Sequence, residues 1–285
     1  MSALKELYIS WRFLRNDVWA GILPGVAFTL VALRQAHASP PDFARILAWS
    51  LLYFWLYLYG HTLANQIVGV DEDRINKPER PLPSGLVSRE GARQRLAVVT
   101  GLLIATGFLL GIGRWALLWA ATYLLLNFFG HRHWFWKNTL PMSMGAVAML
   151  CAAWEMVRPL TAVEWRIVLS IAGFVAVTSP IQDFRDIDGD RVLNRRTLPI
   201  AVGERRGRIL ISLALVAWLP VFWLLLRPAL GSPGGKAFAA ALTVLELVVA
   251  ARLLRFHGAA ADHRTYRLYE QLYCLYVVSA FALLS

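Results

Sequence analysis

Cysteine is almost missing from this chain: 285 residues hold two, Cys151 and Cys274, both inside apolar runs. Their spacing fits no metal-ligand pattern, so they are read as packing residues. Acid is scarce too, 18 Asp and Glu against 29 Lys and Arg, and no low-complexity tract or polar domain interrupts the apolar segments. The basic excess alone would suit a nucleic-acid partner, but a nucleic-acid domain is not 58% hydrophobic, so that class is set aside. Soluble proteins carry about 45–50% apolar residues. The composition therefore predicts an all-α integral membrane protein, a single helical bundle over residues 1–285.

Segments near the roughly 20 residues needed to cross a bilayer number about nine, with cores at 17–34, 43–68, 97–113, 115–130, 139–156, 167–182, 209–226, 237–254 and 268–284. The first holds Asp17 and lacks a small-residue cleavage site, so it is expected to stay as a helix rather than act as a signal peptide. With alternating loops, most Lys and Arg fall on one side, which the positive-inside rule makes cytoplasmic, together with the N-terminus.

What acid there is gathers in two places. "NQIVGVDEDRINKPERPLPSG" runs from Asn65 to Gly85 after the second apolar segment, and "QDFRDIDGDRVLNRRTLP" from Gln182 to Pro199 after the sixth. Each contains Asp-Arg, an Asn, further cations and Leu-Pro, an echo four helices apart that suggests a four-helix pseudo-repeat. Prolines 78, 81 and 83 end any helix running on from Asn65, and Ser88 is placed to cap the next. On an α-helix Asp183, Asp186 and Asp190 share a face while Asp188 points away; Asn65, Glu72 and Asp73 share another, with Asp71 opposite.

Clustered carboxylates at a membrane rim need cations. With neither His nor Cys nearby, oxygen donors favour Mg²⁺, which takes one or two carboxylates plus substrate phosphate oxygens. A diphosphate bridged by metal between two acidic tips, with Lys and Arg holding the same anion, is the simplest inference. The plain alternative is a solvated loop of Asp–Arg surface pairs. A calcium loop at "DIDGD" fits poorly, because Arg191 stands at the glycine position and Thr197 at the bidentate Glu.

At these residues the sequence resembles the UbiA superfamily of intramembrane prenyltransferases and their terpene-cyclase relatives. That family carries Asn-Asp-x-x-Asp-x-x-x-Asp after helix 2 and Asp-x-x-x-Asp or a close variant after helix 6; "NKPERPLPSG" and "DFRDIDGDR" match its two elements here. The first element departs from the pattern, with Gln66 and Gly69 where Asp is usual and Glu72 as the substitute carboxylate. The resemblance implies that Asn65, Glu72, Asp73, Asp183, Asp186 and Asp190 organise Mg²⁺, with Asp73, Asp183 and Asp186 central to catalysis. It assigns diphosphate binding to Lys77, Arg80, Lys137, Arg191 and Arg196, although "HWFWK" around Lys137 departs from the usual Tyr-containing form. The form of the first element looks more like the UbiA-type cyclases, which ionise a linear prenyl diphosphate, here C10 to C20, and let the cation close on its own double bonds. The close alternative is transfer of the prenyl group to an aromatic or quinone-precursor acceptor. An ion-coupled transporter is disfavoured, because the acids sit at one rim rather than mid-span. Trp55, Tyr123, Phe128, Trp134, Trp154 and Phe174 are candidates for shielding an allylic cation, none of them singled out as catalytic.

Overall fold

A computed structural model describes residues 3–130 and 132–283. Among them every long element is a helix, and a lone β-bridge joins His133 to Arg196. In order these are α1 (Ala3–Leu14), α2 (Ile22–Gln35), α3 (Pro40–Asn76), α4 (Arg89–Leu109), α5 (Gly113–Phe129) and α6 (Leu140–Glu155). Then come α7 (Ala162–Thr178), α8 (Ile187–Val192), α9 (Leu198–Val202), α10 (Glu204–Leu226), α11 (Pro233–Arg255) and α12 (Ala259–Val278). Four helical stretches, Arg89–Leu109, Ala162–Arg185, Glu204–Leu226 and Pro233–Arg255, are long and apolar enough to cross a membrane.

The helix boundaries follow local chemistry. Ser39 caps α3 by accepting from the Asp42 amide, with Pro40 in the first turn, where a missing N–H costs nothing. The helix stops at Asn76, before Pro78. Ser88 caps α4 through the Gly91 amide at 3.1 Å, and Thr161 with Glu164 forms a reciprocal capping box on α7. At 37 residues α3 is about 55 Å long, well beyond a hydrocarbon core of about 30 Å, so one end projects.

Two expectations need correction. The segment at 17–34 is not one helix: α1 ends at Leu14, a turn carries Asp17, and α2 starts at Ile22. Nor do Asp183, Asp186 and Asp190 ride a continuous α-helix. Residues Ser179–Arg185 form a 3₁₀ helix, Asp186 breaks it at φ −110°, ψ 9°, and α8 begins after it. Pro180 contributes no amide hydrogen bond, and the tighter winding redirects the chain. The last predicted segment extends to residue 284, which lies outside the described residues.

The long α3 packs on α1, α2, α4, α5 and α8, so it forms the wall around which the site is arranged. Helix α12 lies against α2, α7 and the 3₁₀ segment, closing the opposite side.

Candidate active site

The two acidic elements clasp each other. Lys77 Nζ donates to Asp186 Oδ2 at 2.8 Å, the Asn76 amide donates to the Asp186 carbonyl, and Arg195 donates to Glu72. The approach is close enough that a Cβ on Gly189 would collide with the Asn76 side chain and lie 2.9 Å from Glu72 Cγ. Glycine at 189 is thus what lets the second element lie on the tip of α3.

Around this clasp carboxylates and cations alternate. Arg80 Nη1 reaches both oxygens of Asp73, at 2.9 and 3.0 Å. Lys137 donates to Asp190 at 3.0 Å and lies 3.6 Å from Asp183. Arg185 is 3.4 Å from Asp186 and stacks on the Tyr266 ring at 3.9 Å. Asn138 donates to Asp183 Oδ1, whose other oxygen is buried with no hydrogen-bond partner.

Charge state follows from these neighbours. Burial pushes the Asp186 carboxyl up, but Lys77, Arg185 and Lys137 outweigh it and hold the group below the usual carboxylate range. Burial raises Asp190 to about 6 against the pull of Lys137. For Lys77 burial wins, drawing the ammonium down to about 8, whereas Asp183, Asp190 and Asp186 keep Lys137 above its ordinary value despite burial.

The clasp roofs a cavity of about 1300 Å³ including its open mouth. Its polar end is lined by Asp17, Asn65, Glu72, Asp73, Lys77, Arg80, Lys137, Asn138, Arg185 and Asp186. Asp183 and Asp190 are buried and do not line it, so they reach the cavity through Lys137 and Asn138. Arg191 and Arg196 do not line it either. Arg191 faces solvent beside the exposed Asp188, and Arg196 is exposed, with its backbone bonded to the chain at Arg132 and Trp134. The break at Asp186 and the short α8 turn them outward.

Deeper in, α3 presents His61, Leu58 and Tyr57, and the wall continues through Trp119, Met142, Gly145 and Met149 to Tyr266, Tyr269 and Tyr273 of α12. Tyr57 and Trp119 stack at 4.5 Å and 9°, pinned by Tyr57 Oη to the Gly145 carbonyl at 2.7 Å and by Trp119 Nε1 to the Tyr57 carbonyl at 2.9 Å. A Cβ on Gly145 would lie 2.6 Å from Trp119 Cζ3. None of the six aromatics picked from the sequence lines the cavity. Tyr123, Trp154 and Phe174 are instead fully buried in the core. The rings of α12 recur at 266, 269 and 273, a helical spacing that marks one face, but only the fold tells which face meets the cavity. Arg185, Arg195 and Asn138 were missed as well; burial of a cation beside two acidic elements has no signature in the sequence itself.

The UbiA prenyltransferase family matches residues 25–275. Somaliensene A/B synthase of Streptomyces somaliensis is 41% identical over 273 residues, 95% of this chain and 91% of the relative. The polyprenyl transferase eriF of Hericium erinaceus is 35% identical over 94% of this chain and 92% of its own length. In fold, a UbiA homolog from Archaeoglobus fulgidus bound to GPP and Mg²⁺ superposes with a TM-score of 0.66 at 13% identity, over 96% of this chain and 99% of that one. With a family match over most of its length and relatives that align nearly end to end, the chain belongs to the UbiA prenyltransferase family of enzymes.

Proposed function

We propose that this chain ionises a linear prenyl diphosphate with the help of Mg²⁺ and closes the resulting cation within its own cavity, as a UbiA-type terpene cyclase. One observation carries the reading: a single cavity joins a charged mouth to an interior walled by Tyr57, Trp119, Tyr266, Tyr269 and Tyr273. A diphosphate belongs at the first end and a prenyl chain at the second.

Among the described residues no three acidic, His or Cys side chains stand together as a ready-made cage, so the oxygens present fit a hard divalent cation that takes substrate oxygens and water to complete its shell. Asn65, Glu72, Asp73 and Asp186 offer oxygens to the mouth from both tips, and the unpartnered oxygen of Asp183 lies behind them. These residues would hold Mg²⁺, which as a Lewis acid supplies charge stabilisation for departing diphosphate. Lys77, Arg80, Lys137 and Arg185 line the same mouth, where preorganised donors stabilise charge that develops as the C–O bond breaks. Asp190 and Asp183 fix the Lys137 ammonium, and Asp186 fixes Lys77. The ring faces stabilise the allylic cation, and burial keeps water from it.

The same reading assigns α2–α7 and α10–α12 as membrane crossings, with α3 and α7 as equivalent members of a four-helix repeat and the mouth on the cytoplasmic side. Transfer to an aromatic acceptor is the second reading, favoured by the likeness to eriF. Substitution of Gln66 and Gly69 for the family's usual Asp, and the likeness to a named synthase, support cyclisation. Membranes containing the chain, given Mg²⁺ and C10, C15 or C20 diphosphates without an acceptor, are expected to yield a cyclic hydrocarbon or alcohol. Product only after an aromatic acid is added would replace this reading with the second.

A further inference from the structure

Glu270 stands in the aromatic wall, far from either acidic element in sequence. It lies on α12 one turn, about 6 Å, beyond Tyr266, and shares its cavity-facing side with Tyr266, Tyr269 and Tyr273. The residue is 2% exposed. Its Oε2 accepts from Arg267 Nη1 at 3.1 Å, and the same Arg267 nitrogen donates to the Asn16 carbonyl. The other oxygen, Oε1, is buried and has no hydrogen-bond partner. Leaving a buried carboxylate oxygen unpaired is costly, and here the side chain lines the cavity that receives the prenyl chain in the reading above. Tyr266 carries Arg185 on its face at the mouth, and Glu270 follows one turn further along α12, still within electrostatic reach of Arg185 and Asp17.

Resting on the cyclase reading, we infer that Glu270 is the base that ends the cascade. When the C–O bond breaks, its electron pair leaves with diphosphate. Each ring closure uses a π pair of the substrate to form a C–C bond and moves the positive charge along the chain. In the last step a C–H bond next to the cationic carbon breaks, its electrons become the new C=C bond, and the proton passes to Glu270 Oε1. Arg267 holds Oε2, which leaves Oε1 as the oxygen whose lone pairs are not already engaged. The proton returns to water once product and diphosphate have left through the mouth. The residue thereby selects which olefin is released, a role separate from ionisation.

The test compares wild type with Glu270→Gln and Glu270→Asp in membranes given Mg²⁺ and C10, C15 and C20 diphosphates without acceptor, reading diphosphate release and the product profile together. A positioned base is worth about 10²–10⁴-fold, so Glu270→Gln is expected to cut the main olefin by about tenfold or more, with isomeric olefins or a water-captured alcohol in its place. Diphosphate release is expected to fall by clearly less than the main olefin does, since the hydrogen bond of Glu270 goes to Arg267 and not to a cation of the mouth. Glu270→Asp is expected to recover part of the main olefin. An unchanged product ratio in Glu270→Gln overturns the inference. So does an equal fall of release and olefin in both variants, which marks Glu270 as only a structural partner of Arg267. Failure of the cyclase reading shows separately, as a wild-type enzyme that makes no cyclic product without an acceptor, and it removes the inference too.

Discussion

Replacing Arg195 with Met probes the clasp most directly. Arg195 is 4% exposed and donates through Nη1 to Glu72 and to Asp190 Oδ1, both buried. At the 3.2 Å separation from Asp190, and with an effective dielectric of about 20, the Coulomb attraction is about 5 kcal/mol. Asp190 keeps Lys137, so part of its compensation survives, whereas Glu72 has no other ion pair among the described residues. Removing one partner of a buried pair costs about 3–5 kcal/mol, and the low end applies here. At about 2 °C or slightly more per kcal/mol for a chain of this size, the thermal midpoint in detergent should drop by roughly 6 °C. Burial draws the Arg195 guanidinium down to about 10, so it stays charged at neutral pH and the argument holds there. Adding Glu72→Gln to Arg195→Met should restore at least half the loss, because the orphaned charge goes with it. A midpoint within 2 °C of wild type, or a double variant no better than the single, would refute the reasoning.

The remaining predictions concern the reaction and its boundaries. Chelating divalent ions should stop diphosphate release and added Mg²⁺ should restore it, while Asp186→Asn should lower kcat by about 100-fold or more, read with a pyrophosphatase-coupled assay. Trp119→Leu should reduce the cyclic share of product by about 30-fold with little change in KM, since a desolvated cation–π contact is worth about 2 kcal/mol; gas chromatography of the extracts checks it. Arg191→Ala should leave kcat/KM and the thermal midpoint essentially unmoved, because an exposed pair with Asp188 contributes about 0–1 kcal/mol.

The sequence carried the class of fold and the two acidic elements, because apolar runs and clustered charge leave local marks, while Lys77, Arg80 and Lys137 were picked out by the resemblance of their motifs to the family's. It led astray wherever the chain departs from a regular α-helix. Asp183 and Asp190 meet at Lys137 while Asp186 pairs with Lys77, an arrangement set by a 3₁₀ stretch and a break rather than by helical spacing, and Arg191 beyond the break faces solvent. A run of apolar residues from Val18 onward hid the turn that leaves Asp17 at the cavity mouth. The aromatic wall was invisible for a different reason: with 12 Trp, 9 Tyr and 14 Phe in the chain, composition has no means of telling core from cavity. Arg195 shows the same limit for charge, one Arg of a neighbouring pair being 4% exposed and the other facing out.

The Gly145 contact separates two evolutionary problems. A single added methyl at that position would press on the Trp119 ring, 2.6 Å away, and on Tyr57 Oη at 3.1 Å, so the stacked pair that walls the cavity would have to shift. The nearest atoms it would meet belong to Trp119 and Tyr57, not to the charged mouth. A lineage can therefore explore new skeletons one hydrogen-to-methyl step at a time while keeping its trigger intact, which is how a shared scaffold diversifies its chemistry without first losing it.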